Sequence, residues 1–401
     1  MTASATPATD VAPGEFAENL DAYRDALRSY LATADLDDWR GRHFGSTEER
    51  IGHHAKLMGV LSAAGWSRYG WPTFVGGLGG DERHRAVLYD LLSEAGLPVP
   101  DPHLVLETLA APTIRFNPEL AAETLPAFLR GEQWWGQGFS EPEAGSDLAS
   151  LRCRARREGD NYIVSGQKLW TSHGATASRL VCLVRTGTPE SRHRGLSMIM
   201  IDADAPGVSV RPLALASGFN EVAELFFDDV VVPANRLLGE EGQGWAVAMY
   251  LLQFERAQYA WLMSGIALHG LRSLIDELAA RKAAGAALPD GTARRIGDLY
   301  SDVIALRARS AATVRRLAGG ETVGPEASVD KVLLGGVEIA VHDLARDVYG
   351  EEFLFGADGP MATWRADWWY SRSATILGGS AEVQRSIIAD HVLHLPKERD
   401  Q

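Results

Sequence analysis

The chain reads as an α+β protein in which a helical block, a β-rich block and a second helical block follow one another. Three observations predict this order. Apolar residues recur at three- and four-residue steps near the start, at Phe16, Leu20, Tyr23, Leu27 and Leu31, the period of a helix with one buried face. From Trp134 to Pro233 the pattern changes to short apolar runs separated by Gly, Pro and Asp turns, as in a small β-barrel or sandwich. Beyond Gly244 the helical period returns, with spacing suited to a bundle.

A chain of 401 residues, 46% hydrophobic and 8% aromatic, can bury several cores. The blocks are expected as a flexible tail over 1–14, an N-terminal helical domain over 15–130, a middle β domain over 131–240 and a C-terminal helical bundle over 241–401. The net charge of −14 disfavours nucleic acid as a partner, and an anionic ligand would need a local basic pocket. Only Cys153 and Cys182 occur, without metal-ligand spacing or a disulfide framework; they read as packing residues within strands, in a reducing compartment and without a metal. Met1–Pro13 lacks the basic and apolar regions of a secretion signal, and no run reaches membrane-spanning length. A cytoplasmic protein with no membrane association is the expectation.

Within the first block, Trp71–Gly80 is rich in Pro and Gly and reads as a loop. Its glycines do not form a dinucleotide fingerprint, because no strand precedes them and no βαβ pattern surrounds them. In the middle block, strands are expected at Asn161–Ser165, after the turn Glu158-Gly159-Asp160, and at Arg179–Arg185, Leu196–Ile201, Val208–Leu213 and Ala223–Val232. In the last block, long helices are expected at Trp245–Lys282, Thr292–Leu317 and Ser328–Tyr349, with two shorter ones after them.

Two segments carry the most information. Phe139–Asp147 reads Phe-Ser-Glu-Pro-Glu-Ala-Gly-Ser-Asp, and Gly166–Gly174 reads Gly-Gln-Lys-Leu-Trp-Thr-Ser-His-Gly. Hydroxyls joined to glycines and a tryptophan suit loops whose backbone N–H groups approach a planar, phosphate-bearing cofactor. Their spacing resembles the flavin-binding middle domain of the acyl-CoA dehydrogenase family, and the helix–β–helix order is similar to that family over nearly the whole chain. Trp71–Gly80 resembles its Pro-x-x-x-Gly-Gly-x-Gly loop, Phe226–Pro233 its strand exit and Ile376–Arg385 its C-terminal turn.

The resemblance implies α,β-dehydrogenation of an acyl-CoA thioester. That reaction needs a base for the α-proton, an acceptor for the β-hydride and polarisation of the carbonyl; side chains cannot accept a hydride, so FAD is implied. Phe139, Ser140, Trp170 and Ser172 would then meet the flavin, with Trp170 stacked on the ring and Ser172 bonded near N5. Taken alone, the serines would only satisfy turn backbone; the surrounding motif favours the cofactor. Gly145 and Ser146 fall at the flavin or coenzyme A phosphates, while Glu141 and Asp147 read as residues that fix the loop.

Most family members place the base glutamate in a Tyr-Glu-Gly-Thr turn, where this chain has Leu377-Gly378-Gly379-Ser380. A minority places it on the first long helix of the C-terminal bundle, directly before an arginine, and this chain has Phe254-Glu255-Arg256 there. Glu255 is therefore the expected base, and the N–H of Gly378 the expected carbonyl donor. Arg256 points about 100° round the helix from Glu255 and need not share its target; fixing the helix and contacting coenzyme A are the two roles open to it.

Arg281 falls where the family has an arginine that reaches the flavin pyrophosphate of a neighbouring subunit, but Ala284 replaces the phenylalanine of that motif. Arg346–Glu351 departs further from the family's Gln-x-x-Gly-Gly-x-Gly cradle, since Asp347 stands for the glutamine and Glu351 for a glycine. Carboxylates beside a pyrophosphate are unfavourable. Ser380 and Glu382 follow the family's C-terminal flavin-contacting turn, and a helix over Val383–Leu395 would present Ile387, Ile388, Val392 and Leu395 to the core.

With glycine at 378 enlarging the pocket, a branched or bulky acyl group is the expected substrate. Trp364, Trp368, Trp369 and Tyr370 read as bundle core and interface. The family further implies a homodimer or homotetramer, with a heteromer open, and electron-transfer flavoprotein as acceptor. A flavin oxidase or monooxygenase on the same fold and a non-catalytic subunit are the competing readings.

Overall fold

The computed structural model describes residues 14–356 and 359–396. The tail expected at Met1–Pro13 lies outside them. Five helices come first: α1 (Leu20–Thr33), α2 (Thr47–Ala63), α3 (Glu82–Glu94), α4 (Asp101–Phe116) and α5 (Pro118–Leu129). Their starts follow from capping: the Asn19 side chain accepts from Ala22 N, that of Ser46 from Glu49 N, and Asp81 closes a capping box with His84. Tyr23, Leu27 and Leu31 face inward from α1 at four-residue steps, packing with Leu57, Leu61 and Leu88 in one core. The Trp71–Gly80 loop is held by close backbone approach. A side chain at Gly77 would come within 2.0 Å of the Trp71 carbonyl oxygen.

Eight strands follow: β1 (Trp135–Gly138), β2 (Arg154–Glu158), β3 (Asn161–Ser172), β4 (Arg179–Arg185), β5 (Leu196–Asp202), β6 (Val208–Leu213), β7 (Val222–Pro233) and β8 (Leu237–Leu238). They form one sheet in the order β6-β7-β3-β2-β4-β5-β8, with β1 beside β4. The two halves are joined where β2 meets β4 through a single residue pair, Arg154 with Arg185. The sheet folds there. Leu180, Cys182 and Val184 of β4 pack with Ala155, Val164, Leu225 and Phe227 from the other half, whereas Val181 and Leu183 face the helices. Burial on both faces explains why β4 reads as a continuous apolar run. Cys182 lies within β4; Cys153 sits just before β2, and both are buried free thiols.

The second information-rich segment differs from the loop expected of it. Its residues through Ser172 continue β3, which pairs with β7 from Asn161 opposite Pro233 to Ser172 opposite Val222. Register shifts at Val164/Gly166 and Lys168/Thr171 leave room for the irregular backbone that made the sequence look loop-like.

The chain then returns to helices: α6 (Gly244–Ala283), α7 (Thr292–Ala318), α8 (Ala327–Tyr349), the short α9 (Glu351–Phe355), α10 (Pro360–Ser371) and α11 (Ala381–His391). Leu271, Leu274, Leu306, Leu334, Val341 and Leu344 form their core, and Trp364 and Trp368 pack against it. Trp369 is instead 48% exposed. The last helix also differs from expectation: it ends at His391, Ile387, Ile388 and Val392 are only partly buried, and Leu395 is exposed. Among the described residues its apolar side has no complete cover, and no helix is long and apolar enough to cross a membrane.

Candidate active site

The two information-rich segments meet. Ser140 O accepts from Leu169 N at 2.9 Å, and Lys168 Nζ donates to Phe139 O at 3.1 Å and to Glu141 Oε1 at 2.7 Å. Glu141 also accepts from the backbone N–H groups of Arg152 and Cys153. A buried lysine paired with this carboxylate fixes the first segment against β3. Gly145, Ser146 and Asp147 are exposed beyond that anchor, with Asp147 paired to Arg192.

At the end of β3 the backbone takes left-handed values, φ 62° at Trp170 and 54° at His173. Few residues other than glycine adopt this conformation. It places the Trp170 indole 56% in the open, while Thr171 Oγ1 and His173 Nδ1 are buried without a partner among the described residues. A network from three distant segments holds this end. His173 N donates to Glu221 O, and Arg50 donates to both the Glu221 and the Asp101 carboxylates, the latter also bonded to His54. An exposed indole beside the Ser172 hydroxyl, presented by a bulged strand, fits a planar aromatic ring with a polar edge.

Glu255 lies on α6 opposite the Gly378–Gly379 turn. A Cβ placed on Gly378 would stand 2.7 Å from Glu255 Oε1 and 3.3 Å from Lys331 Cε. Gln137 Nε2 of β1 lies 3.4 Å from Glu255 Oε2, so helix, sheet and turn converge on this carboxylate. Arg256 reaches the same turn, which its position round the helix did not suggest: its Nη2 is 3.9 Å from a Cβ on Gly379. Burial lowers the Arg256 pKa, with Glu255 opposing, and its Nε has no partner among the described residues. Gln384 supports the turn from α11, with Nε2 3.5 Å from Gly378 O. Ser380 caps α11 by accepting from Val383 N, and Glu382 is exposed.

Lys331, from α8, donates to Ala374 O at 2.6 Å. Burial lowers its pKa, opposed by Glu338 and Glu255. Sequence reasoning missed Lys331 and Gln137, although a lysine in step with the buried Leu334 and Val341 on α8 was a visible signal.

Arg281 lies apart from this centre and is engaged by its neighbours. It donates to Glu277 and to Glu352, while Glu277 also accepts from the Tyr349 hydroxyl. Asp347 is held by Arg346 and Arg295, and Glu351 is exposed.

The fold and this site define a flavin-dependent oxidoreductase built as a helical domain, a β domain and a helical bundle. The chain belongs to the acyl-CoA dehydrogenase family, whose members are FAD flavoproteins: the family's middle domain matches residues 136–230 and its C-terminal domain residues 242–393. The acyl-CoA dehydrogenase IpdE1 of Mycobacterium tuberculosis is 36% identical over 391 residues, covering 95% of this chain and 99% of that protein. Among solved structures, the Tcur3481-Tcur3483 steroid ACAD superposes with a TM-score of 0.80 at 27% identity, over 94% of this chain and 98% of that one. The ChsE4-ChsE5 complex from Mycobacterium tuberculosis gives 0.74 at 26% identity, over 99% and 100%.

Proposed function

We propose that this protein dehydrogenates a bulky or branched acyl-CoA between the α and β carbons, with Glu255 taking the α-proton. One observation carries this reading. The Glu255 carboxylate occupies the space beside Gly378 that a side chain at this turn would fill, so a carboxylate stands next to the turn although the turn itself has none. The N–H of Gly378 then serves as donor to the thioester carbonyl, and Gln137 holds the carboxylate in position. Arg256, directed at the same turn, contacts the coenzyme A thioester.

Phe139, Ser140, Trp170 and Ser172 hold the flavin, with Ser380 and Glu382 at the C-terminal turn and Gly145 and Ser146 at the phosphates. Bound there, FAD supplies the acceptor for the β-hydride. The glycine at 378 and the likeness to a steroid ACAD and to IpdE1 support a bulky acyl group. Exposed Leu354, Phe355, Ile376 and Leu395 and the acidic surroundings of Arg281 support assembly with a second chain, a copy or a sister subunit, which completes the adenosine side of the cofactor site. The reduced protein passes electrons to electron-transfer flavoprotein in the cytoplasm.

Anaerobic addition of acyl-CoAs to the flavin-loaded protein tests the reaction. Wild type should lose its oxidised flavin absorbance, whereas Glu255→Gln should keep the flavin spectrum and stay unbleached. Bleaching of Glu255→Gln at the wild-type rate would remove Glu255 as the base.

A further inference from the structure

The corner at the end of β3 that presents Trp170 and Ser172 is strained, and the sheet alone holds it thinly. Trp170 and His173 are both left-handed, and such residues persist where their surroundings over-determine them. Beyond the bulge at Lys168/Thr171, β3 pairs again with β7 through Thr171 opposite Ala223 and Ser172 opposite Val222. The pairing then ends where His173 N donates to Glu221 O at 2.8 Å. Glu221, directly before β7, is thus the residue on which the corner finishes.

Glu221 is itself gripped from the helical domain. Its carboxylate oxygens accept from Arg50 Nη2 of α2 at 2.8 and 2.7 Å, while Arg50 Nε donates to Asp101, the first residue of α4, at 2.8 Å. His54, one turn further along α2, lies 3.1 Å from the same Asp101 carboxylate, and the Arg50 guanidinium stands 5.3 Å from the Phe219 ring before β7. The Arg50, Asp101 and Glu221 side chains are only 20%, 15% and 11% exposed. Exposed ion pairs contribute little, but removing one member of a pair this buried leaves the other charge unpartnered. A comparable grip, Arg307 on Asp90 at 2.8 and 2.7 Å, joins helices α7 and α3.

Resting on the proposed flavin contacts, we infer that Arg50 is a positioning residue that acts through Glu221 to fix the Ser172 hydroxyl and the Trp170 indole where they meet FAD. The helical domain then sets the geometry of a cofactor site that the β domain presents, through one guanidinium shared by two carboxylates.

Arg50→Met, Arg50→Lys and Glu221→Gln test this, with Arg307→Met as the control for losing a buried ion pair elsewhere and Ser172→Ala for the contact itself. FAD affinity is read from equilibrium release of the cofactor on diluting the flavin-loaded protein, the ring's surroundings from the shape of the oxidised flavin band, and stability from urea unfolding. Arg50→Met should weaken FAD binding by about tenfold or more and alter the band, as when a hydrogen bond and a stacking contact are misplaced together. Glu221→Gln should do the same to a smaller degree, and Arg50→Lys, which keeps the charge without the guanidinium fork, should recover part of the affinity. Should Arg50→Met not fold, the lysine and Glu221→Gln variants carry the comparison. Arg307→Met should lose urea stability yet keep wild-type FAD affinity and band. An altered band in Ser172→Ala beside wild-type affinity and band in the Arg50 and Glu221 variants, or an equal loss of affinity in Arg307→Met, would overturn the positioning role alone. Wild-type affinity and band in Ser172→Ala as well would overturn the flavin contacts with it.

Discussion

Replacing Gly378 by alanine probes the contact on which the proposed chemistry turns. The backbone there has φ +66°, and the new Cβ would meet Glu255 Oε1 at 2.7 Å and Lys331 Cε at 3.3 Å. Holding a non-glycine residue in the left-handed region costs about 1–2 kcal/mol, which sets the expected loss of stability. Both crowded atoms belong to flexible side chains and can move aside at little further cost. The Glu255 carboxylate must therefore yield by several tenths of an ångström. A displacement approaching 1 Å costs about 10²-fold in rate, so a drop of about 10- to 100-fold is expected. Gly336→Ala, on the exposed side of α8 with nothing within 4 Å, serves as control and should gain up to about 1 kcal/mol from helix propensity with unchanged rate. Stability is read by urea unfolding and rate by anaerobic bleaching with whichever acyl-CoA reduces wild type fastest. Full wild-type activity in Gly378→Ala would show that the carboxylate beside this turn takes no part in the reaction.

Other expectations concern stability and thiol reactivity. Arg85 donates to the fully buried Glu107 at 2.9 and 3.0 Å and lies 4.1 Å from the Trp71 ring; Arg85→Met should lose about 3–5 kcal/mol by leaving that carboxylate unpaired, and a urea midpoint near wild type would contradict this. Asp330 is fully buried, and burial pushes its pKa up to about 6, with Thr313 and Arg309 opposing. An acid whose folded pKa exceeds its unfolded value favours folding at low pH and loses that contribution as pH rises through about 4 to 6, here on the order of 3 kcal/mol. The stability of Asp330→Asn relative to wild type should therefore rise between about pH 4 and pH 6 and stay level above it in unfolding experiments; equal pH profiles would refute the shift. Burial pushes the Cys153 thiol up to about 11 and that of Cys182 higher still, so neither should take up iodoacetamide in the native protein and both should in urea. Stoichiometric labelling of the native state would contradict their burial.

Much of the architecture was legible because it rests on local periods. The Tyr23, Leu27, Leu31 stripe and the long α6 and α8 patterns belong to single helices, and β4 to β7 are bounded by Gly, Pro and Asp turns. The second motif segment was misjudged as loop because Gly166, Gly174 and the polar residues between them look like a turn; pairing of β3 with β7, supplied from more than fifty residues away, draws it into the sheet. The sequence also placed Leu395 in the core from its apolar character alone, yet it is 51% exposed.

By itself the sequence determined the order of blocks, the family and the absence of a carboxylate at Gly378, because these reside in residue types and their spacing. Only the tertiary structure decided that Glu255 and Arg256, 100° apart round a helix by the rule of about 3.6 residues per turn, both reach the Gly378–Gly379 turn. It also decided that Arg281 is engaged by Glu277 and Glu352. The physical reason is the same in each case. Side-chain targets are set by helix packing and by which polar groups remain unpaired after it, and those contacts join residues that no local pattern connects.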